Sequence, residues 1–325
     1  MGQKPLRIRF VFGSGLHLGA RLMGRTPPLT GAEMLRIQML KQIRPYLPDT
    51  VDLGLSFFGG RILNFERWLA LQKPAVFILS KHLVYTLNRG RFADKIRHKA
   101  ILVGVDHHDG DMSQIDLSKF DLHLSISHAG NKALNAYVDK REDQEKRRPI
   151  TSLLMLTPDS RLPTGSSVQL SKLEPIYVGL KMNADIPEEI ADEIRMFEVV
   201  NSKQMLEALP HLPNYNFHYA IRPAPPDDLL RVYKPFTKGF TAAVLKSNIL
   251  VNRADDDAVH FLSEDYPYLV QTNSAEDIVR TFRFAQESYG SSEWTRGLEI
   301  MEDVRQNVTP ERLARQFMDM VKAIG

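Results

Sequence analysis

Short apolar runs alternate with amphipathic segments in the first half of the chain. Runs at residues 6–12, 51–57, 75–79 and 100–105 have the length and the β-branched content of buried strands. Helical spacing of apolar residues over 30–43, and again in later segments, predicts helices between these strands. Because strands and helices alternate, the pattern predicts an α/β protein with a mainly parallel sheet covered by helices on both faces.

The second half repeats this alternation. Its pattern predicts strands at residues 175–179, 197–200, 215–221, 249–252 and 268–271. It predicts helices at residues 187–196, 202–209, 240–246, 258–263, 274–288, 294–306 and 310–324. We therefore expect a second α/β domain.

The most charged stretch of the chain, DKREDQEKRRP at residues 139–149, is poor in apolar residues and ends in proline. Such a stretch is typical of a domain boundary. We expect a first domain at 1–148 and a second at 149–308. The last segment, 309–325, is a helix that we expect to cross back to the first domain.

Composition narrows the class of protein. Hydrophobic residues make up 43% of the 325 positions and charged residues 25%, which is typical of a globular protein. The net charge of +3 is small, which argues against a dedicated nucleic-acid binder. There is no cysteine and no long apolar run near the start or elsewhere. We expect a cytoplasmic protein without disulfides, thiolate metal sites or membrane-spanning helices.

A loop with two lysines and a threonine precedes the small-residue helix at 240–246. Free N–H groups and the helix dipole favour an anion at such an N-terminus. Lys234 and Lys238 add positive charge, and the Thr237 hydroxyl can cap the helix or bind a phosphate oxygen. The alternative is a solvated pair of lysines before an ordinary helix start.

Two further loops follow predicted strands. Gly13-Ser14-Gly15 resembles half of a dinucleotide fingerprint, but the next helix and the acidic residue do not follow at the required spacing; a plain turn is the alternative. Asp106-His107-His108-Asp109 follows the strand at 100–105. This loop is either catalytic, a structural polar turn or, least favoured, a metal site.

The predicted helix at 80–98 carries many basic residues. A charged helix face is usually solvated surface. The alternative is attraction to an anionic membrane or to a lipid-phosphate acceptor.

One stretch resembles a known family. His218, Ile-Arg-Pro at 221–223, Lys-Pro-x-Thr-Lys at 234–238, a small-residue helix, a strand and three aspartates follow in order. This pattern is similar to the donor-binding half of GT-B glycosyltransferases, over roughly residues 176–270. The resemblance implies two Rossmann-like domains whose parallel sheets face a central cleft, with the acceptor bound by the first domain and a nucleotide-sugar by the second.

The chain departs from that family at one motif. Many retaining members, family 4 among them, carry two glutamates separated by seven residues across this helix. Lys234 and Ala242 stand at the aligned places, so the glutamate pair is absent. How ribose and donor sugar are held, and the stereochemical outcome, therefore stay open.

The resemblance also implies roles for particular residues. The implied donor-binding residues are Gly15, Lys181, Arg222, Lys234, Thr237, Lys238, Asp255, Asp256 and Asp257. The implied catalytic residues are Asp106 and His107, followed by Asp109. In an inverting reaction a carboxylate of this loop would deprotonate the acceptor, whereas in a retaining reaction the histidine would contact the donor sugar. Basic groups and a helix N-terminus, rather than a metal ion, would stabilise the departing diphosphate.

The function implied by the resemblance is a hexosyltransferase-like glycosyltransferase. It would use a UDP- or GDP-sugar as substrate, need no cofactor, and act on a glycan or a lipid-linked acceptor in making a surface or extracellular glycan. Peripheral contact with the inner face of the membrane fits such an acceptor. Two alternatives remain: a GT-B-type nucleotide-sugar epimerase, and a non-catalytic binding protein with a degenerate GT-B fold.

Overall fold

A computed structural model describes residues 4–13, 31–58, 62–87, 93, 97–140, 148–163, 170–225 and 227–325. Within these ranges the strands are β1 Leu6–Gly13, β2 Val51–Phe58, β3 Val76–Ser80, β4 Leu102–Asp106, β5 Leu122–Ser125, β6 Ile150–Leu153, β7 Pro175–Gly179, β8 Arg195–Glu198, β9 Phe217–Tyr219, β10 Asn248–Asn252 and β11 Leu269–Val270. The α-helices of the same ranges are α1 Gly31–Ile43, α2 Ile62–Ala70, α3 Lys81–Thr86, α4 His128–Asp139, α5 Glu188–Ala191, α6 Ser202–Ala208, α7 Thr237–Val244, α8 Ala258–Leu262, α9 Ala275–Glu287, α10 Ser292–Asn307 and α11 Pro310–Ile324.

The chain divides into two compact units. The first unit consists of Met1–Met155, Asp227–Tyr233 and Pro310–Gly325, and the second of Leu156–Pro226 and Lys234–Thr309. The first unit therefore contains α11 and a short segment that lies, in sequence, inside the second.

A parallel sheet of six strands, in the order β2-β1-β3-β4-β5-β6, forms the centre of the first unit. Every residue of β3, β4 and β5 is buried, as the apolar runs predict for strands covered on both faces. The last strand differs from the sequence-based boundary at residue 148. Leu122↔Ile150 and Ser125↔Leu153 pair in register, so residues 150–153 extend the first sheet rather than open a second domain.

The second unit contains a parallel sheet of five strands in the order β11-β10-β9-β7-β8. One predicted helix in this unit is much shorter than the sequence suggested. Only Glu188–Ala191 is α-helical, because the chain then pairs with β7 from Arg195 onwards. Within the described ranges, no helix has the length and the apolar content needed to cross a bilayer.

The basic helix predicted at 80–98 also differs in the structure. It begins as predicted, with Ser80 as the N-cap of α3, but α3 ends at Thr86. Arg97–Lys99 forms a separate 3₁₀ turn. Arg89, Arg91 and Lys95, which carried much of the predicted basic face, lie outside the described residues.

Candidate functional site

Arg36 on α1 and Asp106 at the end of β4 form a buried ion pair in the first unit. Nε of Arg36 lies 2.7 Å from Oδ2 of Asp106, and Nη2 lies 3.2 Å from Oδ1. Both side chains are excluded from solvent. Nη1 of Arg36 also donates to the backbone oxygen of Met155 at 3.0 Å. This two-point contact satisfies a carboxylate that burial would otherwise penalise.

The pKa of Asp106 lies well below its usual value. Burial favours the protonated form, but the charges of Arg36 and His108 and the hydrogen bonds from both side chains outweigh it. A carboxylate with so low a pKa is a poor proton acceptor, and both of its oxygens are already engaged. The structure therefore argues against Asp106 as the base that the sequence suggested. The contacts that it makes in the structure are with Arg36 and His108.

Three imidazoles lie buried beside this ion pair. Nε2 of His108 lies 2.9 Å from Oδ2 of Asp106, and it donates because the carboxylate is ionised. Nε2 of His107 lies 3.1 Å from Nδ1 of His123, and the two rings stack. Burial lowers the pKa of His123 to about 4, while burial and the neighbouring His123 lower the pKa of His107 well below its usual value. His107 and His123 are therefore neutral at pH 7.

Each of these imidazoles keeps one ring nitrogen without a hydrogen-bond partner among the described residues. These atoms are Nδ1 of His107, Nδ1 of His108 and Nε2 of His123, and all three are buried. Buried polar nitrogens are normally paired. As neutral rings, His107 and His123 can each give or take one further hydrogen bond but are poor bases.

The turn that follows β4 is held from α3. Lys81 forms an ion pair with Asp109, and the Tyr85 hydroxyl donates to the backbone oxygen of Asp111 at 3.0 Å. Gly110 lies so close to α3 that an added Cβ would sit 2.8 Å from Cδ of Lys81. We call residues 107–112 the histidine loop. Asp109 has 29% of its side chain exposed, so it is the most accessible of the three predicted catalytic residues.

The phosphate site predicted in the second unit lies where α7 begins. Phe236 occupies the N-cap position and supplies no capping side chain. The N–H groups of Thr237, Lys238 and Gly239 therefore have no intrahelical acceptor. Thr237 is the first helical residue rather than the cap, which differs from the capping role considered from the sequence. An added Cβ on Gly239 would lie 1.9 Å from the Phe236 ring, so only glycine fits under that ring.

Lys238 projects from this helix start into a buried position. Its Nζ lies 3.6 Å from the centroid of the Tyr177 ring and has no hydrogen-bond partner in the described part of the chain. Burial and the charge of Arg222 lower the pKa of Lys238 well below its usual value, with Asp255 opposing them. The Tyr177 hydroxyl donates to the backbone oxygen of Leu180 at 2.7 Å, which fixes the ring under the ammonium.

Arg222 lies in the loop after β9, close enough for its charge to act on Lys238. It forms an ion pair with Asp255, whose Oδ2 lies 3.2 Å from Nη1 of Arg222. The backbone N–H of Arg222 donates to Oδ1 of Asn252 at 2.9 Å, which ties the loop after β9 to the end of β10. The contacts of Arg222, Lys238 and Asp255 thus place two cations and one carboxylate in a single cluster.

His218 on β9 contributes a further polar atom to this region. Its Nε2 is buried and finds no hydrogen-bond partner within the described residues. Burial, with a smaller effect of Lys238, lowers the pKa of His218 to about 4, so the ring is neutral at pH 7. We name Lys238, Arg222, His218 and the start of α7 the cationic pocket. It combines two basic side chains with N–H groups that have no acceptor within their own helix, an arrangement that suits an anion.

The other predicted donor-binding residues are placed as follows. The backbone N–H of Lys234 donates to Oδ2 of Asp256 at 2.7 Å, so Asp256 fixes the loop before α7. Asp257 is buried at the N-cap position of α8 without capping that helix through its side chain. Lys181 is exposed in a 3₁₀ turn directly after β7. Gly15 lies outside the described residues.

Sequence reasoning missed several residues of these sites. Arg36 and Glu33 lie on the buried face of α1, where Oε1 of Glu33 accepts from the Ser80 hydroxyl at 2.9 Å. Positions 33, 36, 37 and 40 follow the helical i, i+3, i+4, i+7 spacing, so two charged residues on the apolar face were visible in the sequence. His123 and Tyr177 carry no such signal, because a single polar or aromatic residue in a strand is unremarkable.

Comparison with known proteins shows the fold. No protein-family model and no curated protein sequence matches the chain. Among solved structures, a glycosyltransferase from Rickettsia africae ESF-5 covers 99% of both chains with a TM-score of 0.57 and 10% identity. Anabaena HepE, solved with UDP and glucose, covers 98% of this chain and all of its own with a TM-score of 0.61 and 11% identity.

A third solved structure agrees with these two. Sucrose-phosphate synthase from Thermosynechococcus elongatus covers 98% of both chains with a TM-score of 0.60 and 9% identity. The chain therefore has the α/β fold of GT-B glycosyltransferases, with two Rossmann-like units built on parallel sheets. Identities this low show the fold and leave the chemistry to the residues of the two sites.

Proposed function

We propose that this chain is a glycosyltransferase that uses a nucleotide-sugar donor. The observation that carries the proposal is the buried, unpartnered Nζ of Lys238 beside the uncapped start of α7. A buried ammonium without a hydrogen bond is unfavourable in the free protein. A diphosphate in the cationic pocket would satisfy Lys238 and the N–H groups of α7 together.

The chemistry follows from where charge develops. The bond between the anomeric carbon of the sugar and the diphosphate oxygen breaks, and the bond from that carbon to the acceptor oxygen forms. The leaving diphosphate gains negative charge, which Lys238, Arg222 and the helix dipole stabilise. These groups supply locally the charge that a divalent ion supplies in other transferases, which supports a metal-independent reaction.

We assign the acceptor to the first unit and the donor to the second. In the first unit, Asp109 is the carboxylate best placed to take the acceptor proton because it is partly exposed, and Lys81 fixes its position. His107 would contact substrate as a neutral ring. A glycan or lipid-linked acceptor, a role in surface glycan synthesis and a site of action at the cytoplasmic face of the membrane rest on the family resemblance.

The test is turnover of sugar nucleotides by the full chain. UDP-glucose, GDP-mannose and related donors are incubated with EDTA, with and without a panel of p-nitrophenyl glycosides, and released nucleoside diphosphate is measured. We expect slow release of nucleoside diphosphate without an acceptor and faster release with one class of acceptor. An epimerase releases nucleotide and free sugar without an acceptor, and a degenerate binding protein releases nothing.

A matched pair of variants tests the role of Asp109. Asp109→Asn removes the proton acceptor, whereas Asp116→Asn changes an exposed aspartate that contacts the Ser118 hydroxyl in the same unit. Loss of a general base lowers kcat about 10²-fold or more. We expect that loss for Asp109→Asn alone. Equal activities of the two variants would remove Asp109 from the catalytic site.

A further inference from the structure

Residues 227–233 form a strap that belongs to the first unit although it lies within the second in sequence. The chain enters the first unit at Asp227 and returns to the second at Lys234. The segment connects β9 to α7, and both of these elements carry residues of the cationic pocket. A connection between a strand and the following helix usually stays in the unit that contains both elements. The assignment of residues 227–233 to the other unit therefore calls for an explanation.

The strap is organised by its own hydrogen bonds. Asp228 accepts from the Leu230 N–H through Oδ1 at 2.9 Å and from the Arg231 N–H through its backbone oxygen at 3.3 Å. The Tyr233 hydroxyl donates to the backbone oxygen of Leu229 at 3.0 Å, and the Arg231 guanidinium lies over the Tyr233 ring. A segment held in this way loses less conformational freedom when it docks.

Two side chains and one backbone oxygen fix the strap on the first unit. Leu230 and Tyr233 pack against the core cluster that contains Leu134 and Met112. The backbone oxygen of Leu230 accepts from the Met112 N–H at 3.1 Å, and Met112 is the last residue of the histidine loop. The loop is thus held by α3 at Asp109 and Asp111 and by the strap at Met112.

We infer that Leu230 and Tyr233 are positioning residues, which fix the histidine loop for transfer and link its order to nucleotide binding. The inference rests on the proposed function, because Lys234–Lys238, the segment that would bind diphosphate, begins at the residue after Tyr233. A diphosphate that immobilises this segment restrains the C-terminal end of the strap. That restraint passes through Leu230 to Met112, and so to the loop that carries His107 and Asp109.

Amide hydrogen exchange of Met112 in the full chain tests the inference, with and without UDP. Leu230→Ala removes the packing that holds the strap, whereas Leu229→Ala makes the same change at an exposed neighbour. We expect Met112 to exchange about tenfold faster in Leu230→Ala and at the wild-type rate in Leu229→Ala and in the conservative Leu230→Met. UDP should slow this exchange in every protein except Leu230→Ala.

Kinetics with UDP-glucose separate positioning from binding. For Leu230→Ala we expect kcat to fall about tenfold with KM and the UDP Kd nearly unchanged, and Leu230→Met to restore kcat. Wild-type Met112 exchange or wild-type kcat in Leu230→Ala would overturn the inference and leave the proposed function standing. If no nucleoside diphosphate binds the wild-type chain, then the proposed function is overturned, regardless of how fast the Met112 amide exchanges.

Discussion

The ammonium of Lys238 lies 3.6 Å from the centre of the Tyr177 ring, buried and without a hydrogen-bond partner in the described part of the chain. The negative face of the Tyr177 ring partly stabilises the positive charge of Lys238. It does not replace the hydrogen bonds that an ammonium makes in water. A cation kept in this state is a feature of binding rather than of stability, and its replacement should affect the two in opposite directions.

Lys238→Met should make the free protein more stable. It replaces a buried amino group without a hydrogen-bond partner in the described part of the chain by an apolar side chain of similar length, a change worth about 1–4 kcal/mol in favourable cases. We expect a higher melting temperature without nucleotide and a smaller shift on adding it. Lys203→Met, at an exposed lysine in α6, should change neither. A lower melting temperature for Lys238→Met would show that the ammonium stabilises the free fold.

Nucleotide binding should take up a proton. Burial and Arg222 lower the pKa of Lys238 in the free protein, and a bound diphosphate raises it again by favouring the charged form. The affinity for the nucleotide should therefore weaken as the pH rises above the pKa that Lys238 has in the free protein. Calorimetry at pH 8, where the phosphates are already ionised, in two buffers of different ionisation enthalpy measures the uptake. The Lys238→Met variant should show none.

The buried ion pair between Arg36 and Asp106 should be essential for the stability of the first unit. Arg36→Met removes the charged partner of the buried Asp106 carboxylate and leaves it, within the described residues, only the hydrogen bond from His108, which costs about 3–5 kcal/mol. Arg305→Met, which breaks the exposed pair with Glu302, should cost less than about 1 kcal/mol. Chemical denaturation of the two variants makes the comparison. A small loss for Arg36→Met would mean that Asp106 is readily protonated or hydrated in the native state.

Buried neutral histidines should make stability fall in mild acid. The pKa of His123 is lowered to about 4, so the unfolded chain takes up a proton at that residue between about pH 6.5 and pH 4 while the folded chain does not. His123 does not lower the free energy of unfolding above that pH window. Within the window, the free energy of unfolding falls by up to about 3 kcal/mol as the pH decreases. His123→Phe should flatten the decline. Because the pKa of His218 is also lowered to about 4, part of the slope should remain.

A matched core variant controls for lost packing in that experiment. Phe120 is buried against the His123 ring, so Phe120→Leu should lower stability without altering its pH dependence. Denaturant midpoints at pH 7, 5.5 and 4.5 give the slopes. If His123→Phe and wild type lose stability in parallel, then the histidine is already protonated or solvated in the folded protein.

Elements with a strong local pattern were predictable from the sequence. The run at 175–179 became β7 with the same ends, and α11 begins and ends where periodicity and Pro310 placed it. The two-domain α/β fold followed from the alternation of strands and helices. These features depend on neighbours within one turn or one strand, which a sequence displays directly.

Features that depend on distant partners were not predictable. Asp106 was a candidate base because it stands in an ionisable loop at the end of a strand and because of the family resemblance, yet its charged partner Arg36 lies 70 residues earlier. Residues 150–153 looked like the start of a second domain because the charged stretch before them interrupts the pattern. For Lys238 the sequence offered either a phosphate ligand or a solvated surface lysine, and only its packing against Tyr177 shows that it is buried. Tertiary packing determines these pKa values and pairings.

Diphosphate binding at Lys238 is tested by calorimetric titration of the full chain with UDP, GDP, ADP and TDP, each compared with its free nucleoside. We expect one diphosphate to bind far more tightly than its nucleoside. Lys238→Ala should weaken that diphosphate about tenfold or more, the scale of a charged hydrogen bond, and leave the nucleoside unchanged. Lys203→Ala should bind as wild type. If Lys238→Ala binds every diphosphate as tightly as the wild type does, then Lys238 is not part of a diphosphate site.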